Sequence, residues 1–223
     1  MKMVHKNLEK QILFEENKIN EIIIENPTFL YNFISEIKSQ LSGISGNFVL
    51  SKNSKEITFS KEIELITDIF SFDLNDKKFT TKLYNELKNI SYSEDLYMKT
   101  QTLLSKLEEY LKELEYLSQY NFSFNDEIDI ISIFKSYGIN FDINNIKLAD
   151  KFFQLVSMVN ELLNKNIIII VNLKSFISKE DLKELYAMLS YKKINLLLIE
   201  NSEKYKLDSE ERTIIDKDIC EIF

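Results

Sequence analysis

The hydrophobic pattern is strongest in the last third of the chain. Ile167 to Val171 is an unbroken aliphatic run, as expected for a strand buried on both faces. Ser178-Lys179-Glu180-Asp181 follows, with the look of a capping box, and Leu182, Leu185, Tyr186 and Leu189 then recur at helical spacing. Ile194 to Ile199 predicts a second buried strand. Two such strands joined by one helix should be parallel with a right-handed crossover. Near the start, Ile22-Ile23-Ile24 predicts a short buried strand. Asn26-Pro27 then offers an N-cap and a first-turn proline. The helix it opens runs through Phe29, Phe33, Ile34, Ile37 and Leu41 and stops near Gly43. Phe48-Val49-Leu50 and Ile57-Thr58-Phe59 predict two more strands, joined by the lysine-bearing turn Ser51 to Lys55.

The middle of the chain has a different period. Leu103, Leu107, Tyr110, Leu114 and Leu117 are spaced four, three, four, three. That is a heptad-like seam for an antiparallel helix pair or an oligomer contact. A second helix is predicted at Ile130, Ile131, Phe134 and Tyr137, ending at Gly138. A third carries Leu148, Phe152, Leu155, Val159, Leu162 and Leu163. No internal repeat is present. The order predicts an α/β protein with a mostly parallel sheet. Residues 1–74 and 163–223 form its head, and residues 75–162 are an inserted α-helical leg. The acidic tail from Glu200 to Phe223 reads as partly a surface segment.

Composition narrows the chemistry. The chain has 223 residues, enough for one large domain or a core with a smaller appended unit. Its net charge of -8 argues against binding polyanions over the whole surface, so any nucleic-acid contact needs a local basic face. Arg212 is the single arginine. Bidentate reading of guanine edges is mainly arginine chemistry, so sequence-specific recognition is not expected. One cysteine, Cys220, and one histidine, His5, leave no disulfide framework and no Cys/His zinc site. Met1 to Lys18 lacks the apolar stretch of a signal peptide, and the longest aliphatic run is too short to span a bilayer. The expectation is a cytoplasmic protein without a membrane partner.

Catalytic signatures are missing. The strand-to-helix join Glu25-Asn26-Pro27-Thr28 has no glycine and no Lys followed by Ser or Thr, and Glu25 would repel a phosphate. No Gly-x-Ser-x-Gly elbow exists. His5 lies in a polar N-terminal stretch and reads as a surface histidine; Cys220, beside Ile219 and Ile222, reads as a buried structural thiol. The expectation is a protein that is not an enzyme. Two carboxylate groups stay open in meaning. Asp126, Glu127 and Asp129 at a helix start suit the helix dipole, and equally a hard cation such as calcium. Asp73, Asn75 and Asp76 suit an Asx turn or a similar cation site.

One stretch, Leu65-Ile66-Thr67-Asp68-Ile69-Phe70-Ser71-Phe72-Asp73-Leu74-Asn75, resembles the short form of the type II-A CRISPR adaptation protein. The resemblance continues at Asp126-Glu127-Ile128-Asp129-Ile130, Lys135-Ser136-Tyr137-Gly138, Ile167 to Asn172, Phe176 to Asp181 and Leu196 to Glu200. It covers nearly the whole length, in order. What it implies is an α/β head related to P-loop folds without a functional nucleotide site, plus a helical leg. It further implies a homotetrameric ring that binds calcium and threads linear double-stranded DNA ends through a lysine-lined hole. The implied role is in spacer acquisition, a step of antiviral defence, beside other adaptation proteins and the effector nuclease. Lys135 and Lys151 match basic positions of that family, and the exposed turn adds Lys52 and Lys55 as DNA-binding candidates. Asp126 and Glu127 match acidic positions around the family's calcium sites, but Asn121, Ser123 and Ser132 stand where short-form relatives tend to carry acids. Neutral ligands reduce the charge that holds a divalent ion. The rival reading is a structural scaffold that uses the Leu103 to Leu117 seam, with DNA contact incidental.

Overall fold

The structure is a computed structural model that describes residues 1–16, 18–70, 73–125, 127–142 and 147–222. Polar and apolar residues alternate at the N-terminus, giving β1 (Lys2–Val4) and β2 (Ile12–Leu13). The isoleucine run becomes β3 (Ile19–Ile24), buried at all six positions. Helix α1 (Pro27–Leu41) starts where expected. The Asn26 side chain accepts from the Phe29 amide at 2.9 Å, and Pro27 occupies the first turn. Past its end, Gly43 takes a positive φ of 88°, a conformation glycine adopts without Cβ strain.

The next segment differs from the two-strand prediction. Strand β4 (Val49–Lys52) and the short β5 (Lys55–Glu56) form a hairpin, but Phe59 opens a one-turn helix, α2 (Phe59–Glu62). Phe59 is buried and stacks near Phe48 at 5.7 Å between centroids. Burying that aromatic fixes the turn, and Ile63 then begins β6 (Ile63–Ile66). The chain continues through α3 (Lys77–Ser91), α4 (Tyr97–Leu117), α5 (Ile130–Ser136), α6 (Leu148–Leu163), β7 (Ile167–Val171), a 3₁₀ turn at Leu173–Ser175, α7 (Lys179–Tyr191), β8 (Asn195–Glu200), β9 (Glu210–Ile215) and β10 (Glu221–Ile222).

Two compact units result: Met1–Phe72 with Ile143–Phe223, and Asp73–Asp142. The first holds a six-stranded sheet in the order β10-β9-β3-β8-β7-β6. Strands β9, β3, β8, β7 and β6 run parallel, and β10 closes one edge antiparallel to β9. This is the mostly parallel α/β head. A second, antiparallel sheet has the order β2-β1-β4-β5. Residues on alternate strand positions face opposite sides. Ile22, Ile24, Ile167, Ile169, Leu197 and Ile199 share a core with Phe29, Phe33 and Ile37 of α1 and with Met3 and Leu50 of the small sheet. The intervening Ile23, Ile168, Ile170, Leu196 and Leu198 are fully buried on the other side.

Two placements depart from the sequence reading. Helix α6, expected in the helical leg, belongs to the first unit and packs against α7. The acidic tail, read as partly a surface segment, also supplies β9 and β10 of the large sheet. Strand β9 pairs with the whole length of β3, from Ile19↔Glu210 to Ile24↔Ile215.

The second unit is helical. Asp73 accepts from the Asn75 amide at 2.8 Å, and Asp76 caps α3 through the Lys78 amide at 3.1 Å. The Asn75 carboxamide bonds both backbone groups of Phe141, accepting from its N–H at 2.8 Å. Tyr84 donates to the Ile139 carbonyl at 3.0 Å. Helix α5 ends at Gly138, which takes a φ of 62°. Among the described residues, no helix is long and apolar enough to cross a membrane.

Candidate nucleic-acid interface

Lys52 and Lys55 are brought together. Asn53 and Ser54 have φ of 51° and 62°, a primed two-residue turn whose twist suits a hairpin. The turn sets Lys52 directly opposite Lys55, and both side chains are exposed. Two like charges across a strand pair repel, so this tip concentrates positive charge at the expense of hairpin stability.

The other two lysine candidates stand in different units. Lys135 is exposed in the last turn of α5 in the second unit, where a cation complements the helix C-terminus. Lys151 is half-buried in the first turn of α6 in the first unit, beside Asp150.

Of the calcium candidates, Asp126 lies outside the described residues, and Glu127 is exposed. Asp129 is committed to the helix: it accepts from the Ile131 amide at 3.2 Å and from the Ser132 hydroxyl at 3.1 Å. Desolvation acts to raise its carboxyl, but the Ile131 and Ser132 bonds and the Lys88 charge outweigh it and hold the group below the usual range. Among the described residues, no three His, Cys, Asp or Glu side chains converge as a metal cage. The Asp73 and Asp76 carboxylates are likewise engaged in turn and cap bonds.

Both lone reactive residues are placed opposite to expectation. His5 is buried, packed on Phe33 and Phe48 at 5.3 and 4.3 Å between ring centroids. Its Nδ1 accepts from the Asn7 amide at 3.2 Å, leaving Nε2 to donate to Glu36 at 3.2 Å. The reason is tertiary: β1 is clamped between β2 and β4, which draws the polar N-terminal stretch onto α1. Cys220 is exposed. It lies in the tight turn between β9 and β10, where its amide bonds Asp216 at 2.9 Å and its apolar neighbours Ile219 and Ile222 also face outward.

Two features escaped the sequence reading. The first is an open cleft of about 430 Å³, lined by Lys179, Lys183, Lys206, Asp208 and Ser190 around Tyr186. Lys206 is 23 positions beyond Lys183 in sequence, so no local charge run marks the three lysines together. The second is a buried ionic network on one face of the large sheet. Glu21 of β3 pairs with Arg212 of β9 at 2.7 Å and with Lys174 at 2.8 Å. Lys174 also reaches Glu210 of β9 at 2.7 Å and the Tyr205 carbonyl at 2.9 Å. Tyr186 of α7 donates to Glu210 at 2.7 Å. The available signal was Glu21, an acid inside an otherwise apolar strand run.

Residues 40–219 match the family model described as CRISPR-associated protein (Cas_Csn2). The chain is 26% identical over 160 residues to CRISPR-associated protein Csn2 of Streptococcus agalactiae, a match covering 70% of each chain. Among solved structures, it is similar at 13% identity to an ATP-binding cassette of an ABC transporter in its ADP conformation. That match has a TM-score of 0.48 and covers 95% of this chain and 82% of the other. A nucleotide-free ATP-binding cassette gives 14% identity and a TM-score of 0.47, covering 99% of this chain and 91% of the other.

Proposed function

The chain belongs to the Csn2 family of type II-A CRISPR-associated proteins, and from that premise we propose that it binds linear double-stranded DNA ends, without sequence preference and without catalysis, as a homotetrameric ring during spacer acquisition. A role associated with CRISPR adaptation comes with the family. The observation that carries it is the family match across residues 40–219.

The charge distribution supports the reading. A molecule with net charge -8 gains affinity for duplex phosphates only where lysines gather. Lys52 and Lys55 form such a point, with Lys135 and Lys151 as further contacts. Lysine neutralises phosphate as a point charge, so binding is insensitive to sequence and falls steeply with salt. A phosphate over the hairpin tip relieves the repulsion between Lys52 and Lys55. Assembly in this reading requires calcium, with Glu127 as a donor among the described residues.

The test is a gel shift on linear and closed circular duplex across a salt series, with calcium or a chelator, beside a solution mass. Linear DNA should bind in preference to circles, the logarithm of affinity should fall linearly with the logarithm of salt, and the mass should be that of a tetramer. Charge reversal at Lys135 and Lys151 should weaken binding to all sequences alike. Equal binding of circles, or affinity unchanged by salt, overturns the proposal.

A scaffold role is the second reading, and one observation favours it. Leu103, Tyr110, Leu114 and Leu117 of α4 are exposed by 55%, 55%, 39% and 76%. Exposed apolar side chains gathered along one helix face are the kind of feature that marks an interaction surface. A tetramer with no measurable DNA affinity at low salt would select this reading.

A further inference from the structure

The buried network on the large sheet holds three carboxylates and two cations. Glu21 and Glu200 are fully buried, and Glu210 is 4% exposed. Against them stand Lys174, 4% exposed, and Arg212, whose side chain is 8% exposed. Strand geometry puts them together. Glu21 and Arg212 are register partners on neighbouring strands, and Glu200 is the register partner of Ile23, two residues along β3 from Glu21. All of these residues alternate with the isoleucines of the α1 side and so face the opposite side of the sheet.

The cations are already shared out. Lys174 Nζ contacts Glu21 and Glu210, and Arg212 contacts Glu21 and the exposed Glu203. Glu210 is further satisfied by the Tyr186 hydroxyl and the Leu207 amide at 2.7 and 2.8 Å. Among the described residues, Glu200 receives the Lys174 amide alone, on Oε1 at 3.0 Å. Its Oε2 is buried with no hydrogen-bond partner among the described residues. An ionised carboxylate in that position is strongly disfavoured, because a buried charge needs both a counterion and satisfied lone pairs.

We propose that Glu200 is a proton-operated latch: as the neutral acid it lets β8 and the 3₁₀ turn after β7 close on the buried network, and losing its proton loosens that turn. The turn is where the effect is felt. The Lys174 amide is tied to Glu200, the Asn172 amide to the Ile199 carbonyl at 2.9 Å, and the Asn201 amide to the Asn172 side chain at 3.1 Å. The groups facing Glu200 have opposing effects. Burial raises its carboxyl most, the Lys174 amide bond opposes that, the Glu21 charge adds to the rise, and the Lys174 and Lys204 charges oppose it, leaving the group at about 7. Beyond these, Lys174 contacts Glu210 and the Tyr205 carbonyl, Arg212 contacts Glu21, and Tyr186 contacts Glu210.

The sign follows from linkage. The folded state holds the proton to a higher pH than the unfolded chain, whose glutamate titrates near 4.5. The stabilisation is complete below that value and is lost as pH rises through about 7. The wild-type folding constant should fall by up to about tenfold per pH unit across this window and then level off. Glu200→Gln keeps the shape and removes the titration. The ratio of wild-type to variant folding constants, from urea denaturation at pH 5 to 8, should follow that curve. Carboxyl carbon-13 NMR of the wild type gives an independent reading that does not need the variant to fold. A Glu200 midpoint near neutral pH supports the latch, and one below about 5 overturns it. Hydrogen exchange at the Lys174 amide, corrected for intrinsic base catalysis, should accelerate above neutral pH in wild type and not in Glu200→Gln. Equal protection in both at pH 8 also overturns it.

Discussion

Lys174→Met isolates the energetic centre of the head. The side chain is 4% exposed, and its Nζ reaches Glu210 at 2.7 Å, Glu21 at 2.8 Å and the Tyr205 carbonyl at 2.9 Å. Methionine fills a similar volume but supplies no charge and no donor. Glu21 then keeps Arg212, and Glu210 keeps Tyr186 and the Leu207 amide. Removing one partner of a buried pair costs about 3–5 kcal/mol, mainly through the charge left behind. Because both acids retain at least one partner, the lower end applies, about 3 kcal/mol. For a chain of this size that is a fall of about 6–12 °C in Tm. Urea denaturation should show a lower midpoint with an unchanged slope. Lys52→Met on the exposed hairpin is the control and should stay within about 0.5 kcal/mol. A Lys174→Met midpoint no different from that control would refute the reasoning, because it would mean that the buried ion pairs contribute nothing beyond burial.

Three further outcomes follow. Ser178→Ala removes the α7 cap, in which the hydroxyl accepts from the Asp181 amide at 3.1 Å; it should cost about 1 kcal/mol by urea denaturation. Glu36 accepts from Asn47 and His5, and although burial acts to raise its carboxyl, those bonds hold it below the ordinary value. Its contribution is therefore present above the usual glutamate pKa and disappears as pH falls through the lowered folded value. Glu36→Gln should flatten that part of the acid limb in a Tm–pH series, and an unchanged limb would contradict the assignment. The exposed Cys220 thiol should react to completion with a thiol reagent in the native state; reaction only after denaturation would contradict its placement in the outer turn.

The strongest elements were legible in the chain because their causes are local. Five consecutive aliphatics from Ile167, the isoleucines of β3, the Asn26-Pro27 start of α1 and the Ser178 cap of α7 each act over a few residues, and each formed the element predicted. The Lys52–Lys55 tip was legible for the same reason, since two residues close the turn. What tertiary structure decided involves partners far apart in sequence. The acidic tail became β9 because β3 offered a full edge of unpaired backbone groups, and the polar start of the chain was buried when β4 paired with β1 and placed His5 on Phe33 and Phe48. Apart from Glu21, which sits beside the isoleucines of β3, the charges Lys174, Glu200, Glu210 and Arg212 look like ordinary surface groups in the linear sequence. They become a buried network because strand register carries Glu21 of β3, Glu200 of β8, and Glu210 and Arg212 of β9 to the same face, where the 3₁₀ turn adds Lys174, and a hydrophobic period has no means of encoding that registration.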